Sequence, residues 1–412
     1  MLLRARIVLP VCAPPIDDGA VLVVGERVAR VGRWEELRHS AGGEVIDLGQ
    51  AVLLPGLINA HCHLDYTDMA GLLSPAKHFS DWIKAIVSLK ATWSYTDYAN
   101  SWLHGAKMLL HSGVTTVVNI EAIPELLPDV TPSTPLRVIS CLELLSLRNR
   151  HDALQLVNAA EQRLNPLPAE AVGLSPHAPY STSPELLQAA ALVARQRGWL
   201  FTTHVSESAD EFEMFQQASG PMFDWLKPQR DMSDCDGRSP VDHLFQTRAL
   251  GRNCLAVHVN YLAVGDAVLL AQSRSSVVHC PRSHAFFQHQ SFPLAALTDA
   301  GVNLCLGTDS MATMLKSRTE PMALNLFSEM QVLANTFPAL RSQSIVEMVT
   351  LNAAKALGRA HELGCLAPGA RADLIALPLP RHARDPYDAV LDHGGEVQAS
   401  MIRGVWAIAP PT

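Results

Sequence analysis

The chain is poor in charge and in aromatic rings: charged residues make up 17% of it and aromatic residues 6%. Neither sign of charge gathers into a run. With a net charge of −8 and no basic stripe, nucleic acid is not an expected partner. No apolar stretch approaches the roughly 20 residues that a membrane-spanning helix needs, so no membrane is expected as a partner either. Met1–Pro15 sets Arg4 and Arg6 beside only short apolar pieces, which is not the pattern of a secretory signal. No two of the eight cysteines form a C-x-x-C pair, which argues against a zinc ribbon and against a disulfide framework. Free thiols in a reducing cytoplasmic setting are the simpler expectation.

What is present is length and apolar content. At 412 residues, 48% of them hydrophobic, the chain has room for a large core plus a small partner unit. Its first 50 residues read as short strands punctuated by Gly19, Gly25 and Gly32, too little to bury a core alone. Leu374–Leu377, Val397–Ile402 and Gly404–Ile408 offer matching strands at the other end. The expectation is a small β-sandwich domain built from both termini (residues 1–54 plus 361–412), with residues 55–360 inserted as a catalytic domain. Inside the insert, β-rich runs alternate with helical patterns. Counting one strand at 52–60, eight strands are expected, which suggests an α/β fold, a (β/α)8 TIM barrel. A doubly wound sheet shares that alternation. Residues 218–243 read as an irregular insertion, and Pro124–Pro135 as a loop near the rim.

In such a barrel the strand ends share one rim, and here they carry polar groups. The first run ends in His61-Cys62-His63, whose two imidazoles face the same way on a strand. Later runs end in His177, in His204 with Glu207, in His258, in His279-Cys280 and in Gly307-Thr308-Asp309. His61, His63, His204 and Asp309 make a set of nitrogen and oxygen ligands suited to one divalent ion: Zn²⁺, with Fe²⁺ or Mn²⁺ as alternatives. An open position would hold a water of lowered pKa. Glu207 could move its proton, His258 could hydrogen-bond the developing tetrahedral centre, and Asp309 could combine ligand and proton-acceptor roles. Tyr66, Phe79 and Trp82 lie in a segment, Leu64–Lys90, that could cap the pocket and stack on a flat ring.

The H-x-H after L-L-P-G-L-I-N-A, the S-P-H-A-P-Y, the H-V-S-E, the G-T-D-S and the G-x-L-x-P-G-x-x-A-D-L together resemble the amidohydrolase superfamily, and within it the mononuclear deaminase and chlorohydrolase branch. The resemblance implies one metal on His61, His63, His204 and Asp309, proton transfer by Glu207 and Asp309, and substrate contacts from His177 and His258. It implies a hydrolase of carbon–nitrogen bonds other than peptide bonds, releasing ammonia from a small aminated heterocycle. The best expectation is an adenine nucleoside: aminodeoxyfutalosine, S-adenosylhomocysteine, methylthioadenosine or adenosine. Guanine, a pterin, a halogenated triazine or an imidazolone-type ring are alternatives, as is a non-catalytic ligand-binding barrel. The Phe79-Ser80-x-Trp82 segment is more like aminodeoxyfutalosine deaminases, whose substrate carries a carboxylate. Arg148, Arg150 or Arg282 could receive it, with Ser283 beside Arg282. A homodimer would be ordinary for such a barrel.

Overall fold

The computed structural model describes residues 1–40, 42–147, 152–314, 322–380 and 385–411. Eight parallel strands run in sequence order: Leu57–Cys62, Val114–Glu121, Arg137–Leu144, Val172–Pro176, Leu200–Val205, Cys254–His258, Ser276–His279 and Asn303–Leu306. Nearly all their residues are buried, which is why they read as continuous apolar runs. The ring closes between the last strand and the first. Thr308 and Asp309 donate their backbone N–H groups to the His61 carbonyl, and His63 donates to the Asp309 carbonyl. That closure makes the sheet a (β/α)8 barrel and excludes an open doubly wound sheet. The intervening helices cap themselves locally. Pro184–Arg197, for example, starts with the Ser183 hydroxyl accepting the Leu186 N–H and stops at Gly198, which takes the left-handed conformation (φ 66°).

The two termini build one mixed eight-stranded sheet. Ala51–Pro55 pairs with Leu2–Val8 on one side and Leu374–Pro378 on the other. Leu3, Val21, Leu53, Leu374 and Met401, from five of its strands, share one core. The sheet curls back on itself: Val28 N–H reaches the Ala370 carbonyl, and Ala372 N–H reaches Glu26.

The run at 52–60 is two strands rather than one. Ala51–Pro55 belongs to the terminal sheet and Leu57–Cys62 to the barrel, with Gly56 between them. A Cβ on Gly56 would lie 2.2 Å from the Thr115 side chain, so only glycine lets the chain cross there. Residues 218–243 are irregular only in part. They contain the helix Gly220–Leu226 and the start of the helix Pro240–Gln246. Pro124–Pro135 forms short helical turns that line a separate cavity with Arg163 and Arg403, so it does not shape the rim around the histidines.

One buried ion pair joins sheet to barrel. Arg137, opening the third barrel strand, donates to Asp373 at 2.7 Å, and Asp373 also accepts the Arg403 N–H at 2.7 Å. Both side chains are buried. Asp373 is the aspartate of the A-D-L motif, so that motif holds the two sheets together. Asp373→Ala leaves a buried guanidinium without its partner and should destabilise the fold by about 3–5 kcal/mol, read from urea denaturation.

Candidate metal centre and cavity

The rim brings together residues spread over about 250 positions of sequence. His61 and His63 come from the end of the first strand and His204 from the fifth. His258 closes the sixth, and Asp309 follows the eighth. His63 Nε2 lies 3.3 Å from His204 Nε2; Asp309 Oδ1 lies 3.7 Å from His61 Nε2 and 3.8 Å from His63 Nε2. Glu207 Oε1 lies 3.5 Å from His258 Nε2. The sets His61–His63–Asp309, His61–His204–His258 and Glu207–His258–Asp309 each offer three ligand atoms within 4.8 Å of one another. All six side chains are buried.

Local backbone geometry turns these side chains inward. Ser206, His258, Val259 and Asp309 all take positive φ, between 50° and 73°. Such conformations are uncommon for non-glycine residues and concentrate at functional sites. Asn59 holds the closure. Its amide donates to the Thr308 hydroxyl at 2.8 Å, and its carbonyl accepts the Thr308 N–H at 3.1 Å. The His204 ring is oriented from behind: Nδ1 donates to the His177 carbonyl at 2.7 Å, which leaves Nε2 toward the cluster. Glu211 accepts the Glu207 N–H at 2.9 Å and so fixes the turn that carries Glu207.

The donor set fits a divalent cation. Both ring nitrogens of His61 and Nδ1 of His63 are buried without a protein hydrogen-bond partner, a cost that native cores avoid unless something fills the gap. Burial pushes His204 down to about 3 and His63 well below its ordinary value. Burial thus favours, in these two imidazoles, the neutral form that ligates metals. Burial, then the negative charges of Asp309 and Glu211, hold the Glu207 carboxyl well above the usual carboxylate range. A carboxyl raised in this way holds a proton more readily than an exposed one.

Gly307 sets the spacing between the last strand and the first. A Cβ there would fall 2.8 Å from the His61 carbonyl oxygen and 2.9 Å from its Cβ. Gly307→Ala should therefore displace His61 and weaken metal affinity by about 10–100-fold, measured by competition with a chromophoric chelator.

A cavity of about 720 Å³ opens above the cluster. His63, His177, His204, Glu207, His258 and Asp309 form its polar floor. Phe79, Trp82, Ile86 and Val87, from the helix Phe79–Lys90, form one wall; Trp225, Pro228 and Gln229 form another. Trp82 and His177 both line the cavity. Arg282 does not reach the cavity among the described residues. Its guanidinium donates to Glu329 at 2.5 Å and to the Ala323 carbonyl at 3.0 Å. Ser283, next to it, is buried in the short helix Pro281–Phe286 and is likewise absent from the described lining. Arg148 and Arg150 lie outside the described residues. Tyr66, from the segment expected to cap the pocket, lines the cavity, and so do Lys90, Glu143 and Trp225, which were not singled out. Tyr66 stacks on His63, with ring centroids 5.2 Å apart, and Lys90 donates to its hydroxyl.

Fold and site together define a barrel protein with a divalent-metal site at the C-terminal rim of its strands. The chain belongs to the amidohydrolase family, whose model matches residues 52–407. It is 27% identical over 397 residues to the 5-methylthioadenosine/S-adenosylhomocysteine deaminase of Symbiobacterium thermophilum, covering 92% of this chain and 86% of that one. Its fold superposes on an adenosine deaminase from Xanthomonas campestris, solved with bound zinc, at a TM-score of 0.84 and 22% identity, over 99% of this chain and 92% of that one. It also superposes on the Helicobacter pylori aminofutalosine deaminase at 0.84 and 20% identity, over 98% of this chain and 99% of that one.

Proposed function

We propose that the protein is a zinc-dependent aminohydrolase that converts an adenine nucleoside to its oxo form and releases ammonia. The observation that carries this reading is the convergence of His61, His63, His204 and Asp309 beneath a cavity with Glu207 and His258 at its floor. Those four residues would hold the cation, and Zn²⁺ suits three imidazoles and a carboxylate. When bound, the cation supplies a Lewis acid that makes water acidic near neutral pH. Glu207 takes one proton of the attacking water and delivers it to a ring nitrogen. His258 holds the oxygen that develops negative charge. Asp309 takes the second water proton and passes it to the departing amine, which leaves as ammonia. The ring carbon gains an oxygen and loses its amino group, so water and the aminated ring become ammonia and the oxo ring. Trp82 and Trp225 enclose the ring, and His177 contacts its edge.

The relatives' names favour adenine nucleosides, methylthioadenosine and S-adenosylhomocysteine among them. We also take residues 1–54 with 361–412 as a structural domain and 55–360 as the catalytic one. No described helix is long and apolar enough to cross a membrane. All eight cysteines are free and seven are buried, which fits a reducing compartment such as the cytoplasm.

The test is ammonia release by zinc-loaded protein from adenosine, methylthioadenosine, S-adenosylhomocysteine, aminodeoxyfutalosine, guanine, a pterin and a triazine. Turnover of an adenine nucleoside is expected. Turnover of guanine or a triazine alone would reassign the substrate. No turnover of any of them by metal-loaded protein would favour a binding barrel.

A further inference from the structure

His177 follows the fourth barrel strand, half-buried, with its ring at the cavity. Its position is fixed from two sides. The His177 carbonyl accepts the His204 N–H at 2.9 Å and the His204 ring at 2.7 Å. Its own Nδ1 lies 2.7 Å from the Ser181 hydroxyl. A hydroxyl has one proton to give, and where Ser181 gives it determines which edge His177 presents to a ligand.

Two acceptors compete for that proton: His177 Nδ1 at 2.7 Å and the Ala178 carbonyl at 3.2 Å. The Ala178 carbonyl already accepts the Ser181 backbone N–H at 3.0 Å and the Thr182 hydroxyl at 2.7 Å. A carbonyl oxygen has two lone pairs, and both are engaged. The longer contact to Ala178 is therefore a third claim on a filled acceptor, and the short one to Nδ1 is the hydrogen bond. An imidazole that accepts at Nδ1 carries its proton on Nε2. A doubly protonated ring also carries a proton on Nδ1 and could not accept there, so the geometry is inconsistent with it as well as with the Nδ1–H neutral tautomer.

We propose that Ser181 is a positioning residue that fixes His177 as an Nε2–H donor into the cavity. The site then selects heterocycles that present a bare ring nitrogen at that point, and rejects analogues that present a C–H there. This deepens the reading of the cavity as an adenine-nucleoside site and rests on it for the identity of the ring, but not for the tautomer.

The two parts are tested separately. In zinc-loaded protein labelled with [¹⁵N]histidine, two-bond ¹⁵N–¹H correlation spectra report each ring's tautomer, and the signals lost in His177→Asn identify His177. The expected result is a proton on Nε2 in the wild type and a shift toward mixed tautomers in Ser181→Ala. A neutral Nδ1–H ring in the wild type would overturn the proposal. For selectivity, kcat/KM is compared between adenosine and its 3-deaza and 7-deaza analogues in wild type, Ser181→Ala and Ser181→Thr; intrinsic ring reactivity cancels between variants. A site donor left facing C–H should weaken one analogue by about tenfold to a hundredfold. Ser181→Ala should reduce that discrimination at least about tenfold, and Ser181→Thr, which keeps the hydroxyl, should restore it. Equal discrimination in wild type and Ser181→Ala would remove Ser181 from the role. An Nε2–H ring in a protein that turns over none of these nucleosides would defeat the adenine reading and leave the tautomer assignment standing.

Discussion

Glu207→Gln should lower the rate of ammonia release by about 10²–10⁴-fold while leaving the metal content per chain unchanged. The amide keeps the volume of the carboxyl and can still accept a hydrogen bond, but it cannot take a proton. Glu207 is buried, and its raised proton affinity comes first from burial and then from Asp309 and Glu211. It stands 3.5 Å from His258, and its backbone is fixed by Glu211. The substitution thus isolates proton transfer from folding. Melting temperature and metal stoichiometry within error of the wild type are part of the expected result. A rate within about threefold of the wild type would assign the proton transfer elsewhere, since general acid–base catalysis of this kind contributes far more.

The second large effect is on the metal itself. His61→Ala should reduce bound metal from about one per chain to near zero after dialysis, and activity should fall with it. His61 is fully buried, and neither ring nitrogen has a protein hydrogen-bond partner. Its removal leaves Asp309 and His63 without the third arm of their set. Ligand binding stabilises the native state by mass action, by about 4 kcal/mol at a thousandfold excess over Kd. Addition of a chelator should therefore lower the melting temperature of the wild type and leave that of His61→Ala nearly unchanged. Full metal occupancy in His61→Ala would remove it from the ligand set.

Much of this site was legible in the sequence because metal chemistry constrains residue type and strand geometry constrains spacing. His61 and His63 had to share a face, and the fourth to eighth strands each closed on a polar group. The barrel strands were readable because full burial demands β-rich apolar runs. The same property hid the crossing at Gly56, where apolar residues continue on both sides although the chain changes sheet. Residues 218–243 looked like a break because of their prolines and glycines. Pro221 and Pro240, however, sit in the first turn of helices, where the missing N–H costs nothing, and Ser239 caps the second of them. The wall containing Trp225 was missed for that reason. Arg282 shows the opposite failure. A cation after a strand end suggested a ligand contact, but Glu329, 47 residues further on, holds it. Neither direction nor partner is encoded locally. Asn59 could have been noticed as the polar residue within the apolar run before His61, yet its partner Thr308 lies 249 residues away.

Zinc K-edge absorption of the loaded protein tests the central claim most directly. The account predicts about one zinc per chain with only nitrogen and oxygen neighbours, three of them imidazoles, at about 2.0–2.2 Å. Sulfur scattering at about 2.3 Å, or fewer than two imidazoles around the ion, would contradict it.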